Sequence, residues 1–146
     1  MWKIKLIITE SGDKPIEEIK VGDKVYSENE HTGEKGFKKV LRLFVNTAKT
    51  LVHLIINGTK IDTTEKHPFW VIGKGWVNAA ELKAGNKVSL KTGEIGNVDS
   101  VEVETLDEPV KVYNFEVEDW HTYFVSNIGV LVHNKCWVDA EGVSNS

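Results

Sequence analysis

Cysteine is almost missing from this chain: of 146 residues, Cys136 alone carries a thiol. That excludes an internal disulfide framework and a zinc site built on cysteines. A basic excess is missing too. Lys and Arg number 18 against 22 Asp and Glu, a net charge of -4, which leaves no electrostatic footprint for nucleic acid. No apolar run is long enough to cross a membrane. Residues 1–8 are too short, and too interrupted by Lys3 and Lys5, to serve as a signal peptide. A secreted destination therefore has to come from a longer parent chain, and the chain expressed alone is expected in the cytoplasm. Long helical periodicity is absent as well.

What remains is the composition of a globular protein, 40% hydrophobic and 27% charged, long enough for one domain with a substantial core. Periodicity is of the strand kind. Residues 2–8 begin with apolar/polar alternation, and residues 39–45, 51–56, 60–64, 67–72, 98–104, 110–117, 121–125 and 130–132 carry further strand patterns. Residues 27–36 read as a polar loop. Asn57-Gly58 is a strong hairpin signal, because both residues tolerate positive φ, and it is also an ordinary deamidation site. Residues 15–19 and 80–83 suit single helical turns. Many short strands separated by Gly and Asn turns predict an all-β fold.

An internal duplication is legible. Ile19-Lys20-Val21-Gly22-Asp23-Lys24-Val25 matches Leu82-Lys83-Ala84-Gly85-Asn86-Lys87-Val88. His67-Pro68-Phe69-Trp70-Val71 matches His121-Thr122-Tyr123-Phe124-Val125, each a His followed by an aromatic pair and a Val. Two matches in the same order predict two β subdomains about a pseudo-two-fold axis, with a site between them that receives one His from each half.

Near the C-terminus, Val130-Leu131-Val132 ends on His133-Asn134. An Asn side-chain amide nitrogen can attack its own backbone carbonyl, forming a succinimide and breaking the bond to the next residue. A neighbouring His can protonate the leaving amine.

With these motifs in place, the sequence resembles the Hedgehog/intein (Hint) domains, and among them the bacterial intein-like group of polymorphic-toxin type. Thr64-Glu65-Lys66-His67 resembles the family's Thr-x-x-His motif, residues 112–125 its penultimate block, and Gly129-Val130-Leu131-Val132-His133-Asn134 its terminal block. Residues 13–23 resemble its opening region, so the likeness covers nearly all of residues 4–134. The resemblance implies a pseudo-two-fold symmetric, horseshoe-shaped all-β Hint fold. It implies self-catalysed peptide-bond rearrangement, with residues 1–134 as the autoprocessing domain and residues 135–146 as the start of a downstream cargo. Such domains sit inside large secreted bacterial proteins, before a C-terminal effector.

The roles implied are specific. His67 donates a proton to an upstream scissile amide, with Thr64 positioning its ring. His121 polarises the Asn134 carbonyl or takes a proton from its side-chain amide, and His133 protonates the departing Lys135 nitrogen. Asn114 stands where many inteins carry an Asp; it orients by hydrogen bonds but cannot ionise. Met1 and Trp2 carry no nucleophilic side chain, so the upstream ester-forming step is expected to be lost. Position 135 is Lys where splicing needs Cys, Ser or Thr, and Cys136 lies one place too late, so ligation is not expected either. The expected activity is cleavage between Asn134 and Lys135, once per molecule, by a monomer acting on its own chain without cofactor, metal, nucleic acid or membrane. Two other readings stand beside it: a catalytically silent Hint scaffold, and a β-rich binding module presenting Trp76 and Trp120. His31 and His53 are read as ordinary loop and strand residues.

Overall fold

The computed structural model describes residues 6–126 and 128–133. Eleven strands form one sheet: β1 (Leu6–Thr9), β2 (Gly12–Pro15), β3 (Lys24–Glu28), β4 (Lys35–Ile56), β5 (Thr59–Thr64), β6 (Pro68–Val71), β7 (Gly75–Asn78), β8 (Lys87–Ser89), β9 (Ile95–Val117), β10 (Thr122–Val125) and β11 (Val130–His133). Among the described residues the helical content is two single 3-10 turns, Ile16–Glu18 and Ala79–Glu81. Each falls where the sequence suggested a helical turn.

Strand order is β2-β1-β3-β4-β9-β8-β6-β11-β10, and β10 returns to β1 through Ile7↔Val125. The strands therefore curl into a horseshoe. Its core holds Ile7, Val25, Val52, Leu54, Ile56, Phe69, Phe115, Tyr123 and Val132, all buried. Truncating one of these, as in Leu54→Ala, should cost about 2–5 kcal/mol.

The pseudo-two-fold axis is visible in the pairing itself. Exchanging β1, β2, β3, β4 and β10 for β6, β7, β8, β9 and β11 preserves every strand pairing except that of β5 with β4. The duplicated turns agree atom by atom. Lys20 N donates to Asp23 Oδ2 at 2.9 Å, and Lys83 N to Asn86 Oδ1 at 2.8 Å. Gly22 N donates to Val40 O at 2.9 Å, and Gly85 N to Val98 O at 2.8 Å. Both glycines have φ of 95°, a region that a side chain disfavours. The second match has a different basis: β6 corresponds under the axis to β1, not to β10. His67 and His121 instead precede the two strands that flank β11.

Three boundaries differ from the sequence reading. Residues 39–45 and 51–56 belong to one strand, β4, and residues 98–104 and 110–117 to one strand, β9. The polar stretch between them stays extended because β9 supplies its hydrogen bonds rung by rung, through Asn46↔Val112, Thr47↔Lys111 and Ala48↔Val110. The expected loop at 27–36 is shorter, since Ser27 and Glu28 end β3 while Lys35 and Gly36 open β4. Asn29 Oδ1 closes the turn by accepting from His31 N at 2.9 Å and Thr32 N at 3.2 Å.

Candidate active site

β11 lies between β6 and β10 and runs antiparallel to both, with Val132 opposite Phe69 and His133 opposite Thr122. Its C-terminal end therefore meets the N-terminal ends of β6 and β10. His67 and His121 stand immediately before those two strands. The described end of β11 thus lies between the two strands that these histidines precede. Asn134 itself, with residues 135–146 and residues 1–5, lies outside the described residues.

His67 is buried, 6% exposed. Its Nδ1 lies 3.3 Å from Thr63 Oγ1, and its Nε2 lies 3.3 Å from the Tyr123 hydroxyl. Tyr123 donates in turn to Asn114 Oδ1 at 2.9 Å, and the same oxygen accepts Phe115 N at 2.8 Å. Burial raises the Tyr123 phenol pKa far above its usual value, so it remains a neutral donor. Asn114 is thus joined to His67 through a tyrosine. Thr64 ends β5 and is half-buried; its carbonyl accepts from His67 N at 3.4 Å, closing the turn that aims the ring.

His121 and His133 form a second group, with ring centroids 6.3 Å apart. His121 is exposed and has φ of 57°, a left-handed conformation in which His is one of the more tolerant residues. Trp76 stands against His133 and Trp70, and its Nε1 donates to Glu30 Oε2 at 3.4 Å. The threonine opposite His133 is also anchored: Thr122 Oγ1 donates to Glu28 O at 2.7 Å, accepts Glu28 N at 3.0 Å, and lies 2.8 Å from Ser27 Oγ. Desolvation raises the pKa of the Glu28 carboxyl, and its buried Oε1 has no hydrogen-bond partner among the described residues.

Several contributors escaped the sequence reading. Tyr123 reads as a core aromatic, Trp76 is read only as a surface residue of a binding module, and Thr63 is overshadowed by the Thr64 motif one residue on. Strand alternation offers the one usable signal for Thr63, since it places Thr63 inward on β5, with Ile61. The tryptophans named for a binding module are engaged within the chain. Trp76 packs as described, and half-buried Trp120 lies under Lys38 Nζ, 4.5 Å from its ring centroid. Among the described residues no group of three or more His, Cys, Asp and Glu side chains could hold a metal ion.

A symmetric β horseshoe whose β11 ends between the strands that two histidines precede defines an intein-like Hint domain of the autoprocessing type. The model of the pretoxin HINT domain family matches residues 6–135, and the chain belongs to that family. Among solved structures, a bacterial intein-like domain from Clostridium thermocellum is 45% identical, covers 89% of this chain and 94% of its own, and superposes with a TM-score of 0.86. A DnaX mini intein from Spirulina platensis is 27% identical, with 89% and 96% covered and a TM-score of 0.73. An uncharacterized protein of Methanocaldococcus jannaschii is 32% identical over 104 residues, 66% of this chain. The chain spans 14% of that relative's length.

Proposed function

We propose that the chain cleaves its own backbone between Asn134 and Lys135 by asparagine cyclisation. The supporting observation is the end of β11 between the strands that His67 and His121 precede, with His133 as its last residue and its ring 6.3 Å from that of His121. In the reaction the Asn134 side-chain nitrogen bonds to its own carbonyl carbon and loses a proton. The bond to the Lys135 nitrogen breaks, and that nitrogen gains a proton. The products are a C-terminal succinimide and a free peptide, residues 135–146. His121 assists at the Asn134 amide and His133 protonates the leaving nitrogen. Holding the side chain against its own carbonyl is the part the fold has to impose.

Met1 to Lys5 contain no thiol or hydroxyl, so these residues supply no nucleophile for an upstream acyl shift, and Lys135 supplies none for ligation. Cleavage without splicing is the reading that fits, acting on the domain's own chain as a monomer. Membership of the pretoxin HINT family supports a place inside a larger bacterial polymorphic toxin, where the cut would release the segment after Asn134.

Mass spectrometry of the purified chain over time tests this reading. The 135–146 peptide should accumulate, Asn134→Ala should abolish it, and His121→Ala or His133→Ala should slow it. Equal release from Asn134→Ala would identify contaminating proteolysis and sink the mechanism.

A further inference from the structure

The hydrogen bonds around His67 have a fixed polarity, and it can be followed from one end. Asn114 Oδ1 accepts the Phe115 backbone N–H at 2.8 Å. Turning the amide over would set its NH2 against that N–H, so the oxygen is the atom that faces Tyr123. Across 2.9 Å the Tyr123 hydroxyl has to donate its single proton to that oxygen. Only lone pairs then remain on the phenol oxygen to meet His67 Nε2 at 3.3 Å. A bare Nε2 would oppose lone pair to lone pair, so Nε2 carries the ring proton. In a neutral imidazole Nδ1 is then the acceptor, and the Thr63 hydroxyl at 3.3 Å is its donor.

We propose that Asn114 and Tyr123 are positioning residues that hold His67 in its Nε2–H tautomer, which leaves Nδ1 as the ring's acceptor, facing the Thr63 hydroxyl. The tautomer follows from these hydrogen bonds and does not depend on the autoprocessing reading above. The relay gives Asn114 a purpose that needs no charge. A carboxylate at the same position would accept the same tyrosine proton, so Asp is interchangeable with Asn for this task.

Imidazole 15N NMR of the full chain, above the titration range of the ring, tests it directly. The wild type should show a pyrrole-type Nε2 and a pyridine-type Nδ1 for His67. In Asn114→Ala the tyrosine proton is released to turn toward Nε2, so the Nδ1–H form should grow and the two resonances move toward each other. Asn114→Asp should keep the wild-type pattern. If Asn114→Ala does not fold, Tyr123→Phe carries the test, since loss of the acceptor should admit the second tautomer. A wild-type Nδ1–H form, or variants that leave the pattern unmoved, would overturn the proposal. Failure of the wild type to release the 135–146 peptide would sink the cleavage reading and leave the NMR result standing.

Discussion

Trp76 stands edge-on to His133, with ring centroids 4.9 Å apart and planes inclined by 75°. The indole is itself held by Glu30 and Trp70, so it restrains the imidazole at the last described residue of β11. An edge-to-face pair is worth about 0.5–1.5 kcal/mol. If that energy orients His133 toward the Lys135 nitrogen, Trp76→Ala should slow release of the 135–146 peptide by up to about tenfold. Trp76→Phe, which keeps an aromatic edge, should recover most of the rate. Equal rates in all three proteins would mean that the indole has no part in aiming the imidazole.

His53 stands between two carboxylates, its Nδ1 2.7 Å from Asp62 Oδ1 and its Nε2 2.7 Å from Glu104 Oε1. The three residues lie on β4, β5 and β9, so a protonated ring ties three strands together. The bond to Asp62, then that to Glu104, raise the His53 pKa above its ordinary 6.5. A raised histidine pKa means that the folded state binds the proton more tightly. Its contribution to stability is fully present below pH 6.5 and is lost as pH rises through the folded-state value. Urea unfolding should show midpoints that fall across that window in the wild type. In His53→Gln the fall should be shallower. An unchanged profile would show that the cluster does not couple protonation to folding.

Gly22 and Gly85 provide a test of the duplication. Both adopt φ of 95°, and a Cβ built on either meets nothing within 4 Å. Substitution is therefore a matter of backbone strain alone, and each Gly→Ala change should cost about 1–2 kcal/mol. Because the surrounding hydrogen bonds repeat, the two losses should agree within about 0.5 kcal/mol, read from denaturant midpoints. Gly96 is the contrast. A Cβ there meets Leu90, Ile56 and Val88 side chains at 3.0–3.2 Å, so Gly96→Ala is an overpacking change in the core.

The Asn57-Gly58 turn is better protected than its sequence suggests. Gly58 N donates to Asp99 Oδ2 at 2.9 Å, and Asn57 Oδ1 accepts Asn97 N at 2.8 Å. Deamidation needs the glycine nitrogen to lose its proton and attack the Asn57 side chain. A hydrogen-bonded carboxylate beside that nitrogen opposes both steps. Asp99→Ala should speed deamidation, because the carboxylate that holds the Gly58 proton and repels the developing negative charge is removed. The gain of one mass unit in the peptide containing residue 57 reports it. A rate in the wild type equal to that of the unfolded chain would contradict the protection.

The all-β class was readable because alternation survives in almost every segment, from Ile7 and Thr9 buried on β1 to Val98 on β9. His67, His121 and His133 were readable because each abuts a patterned strand. What alternation does not convey is where one strand stops when its partner supplies the hydrogen bonds. Residues 46–50 look like a loop for that reason. Tyr123 was lost to view because the same fully buried ring serves the core, with Phe115 at 4.2 Å, and the site, through its hydroxyl. The closure of the horseshoe by Ile7 and Val125 joins β1 to β10, strands far apart in sequence, and no local pattern announces it.

On β9, between the rungs Ala48↔Val110 and Thr50↔Thr105, Lys49 alone faces Leu106, Asp107, Glu108 and Pro109. This excursion carries mostly exposed residues and leaves the ladder intact on either side. Backbone that bulges outward without supporting the strands around it can be lengthened at little cost, because loop closure grows only logarithmically with length. The length of the chain between Thr105 and Val110 is thus the one dimension of β9 that the rungs on either side leave unfixed.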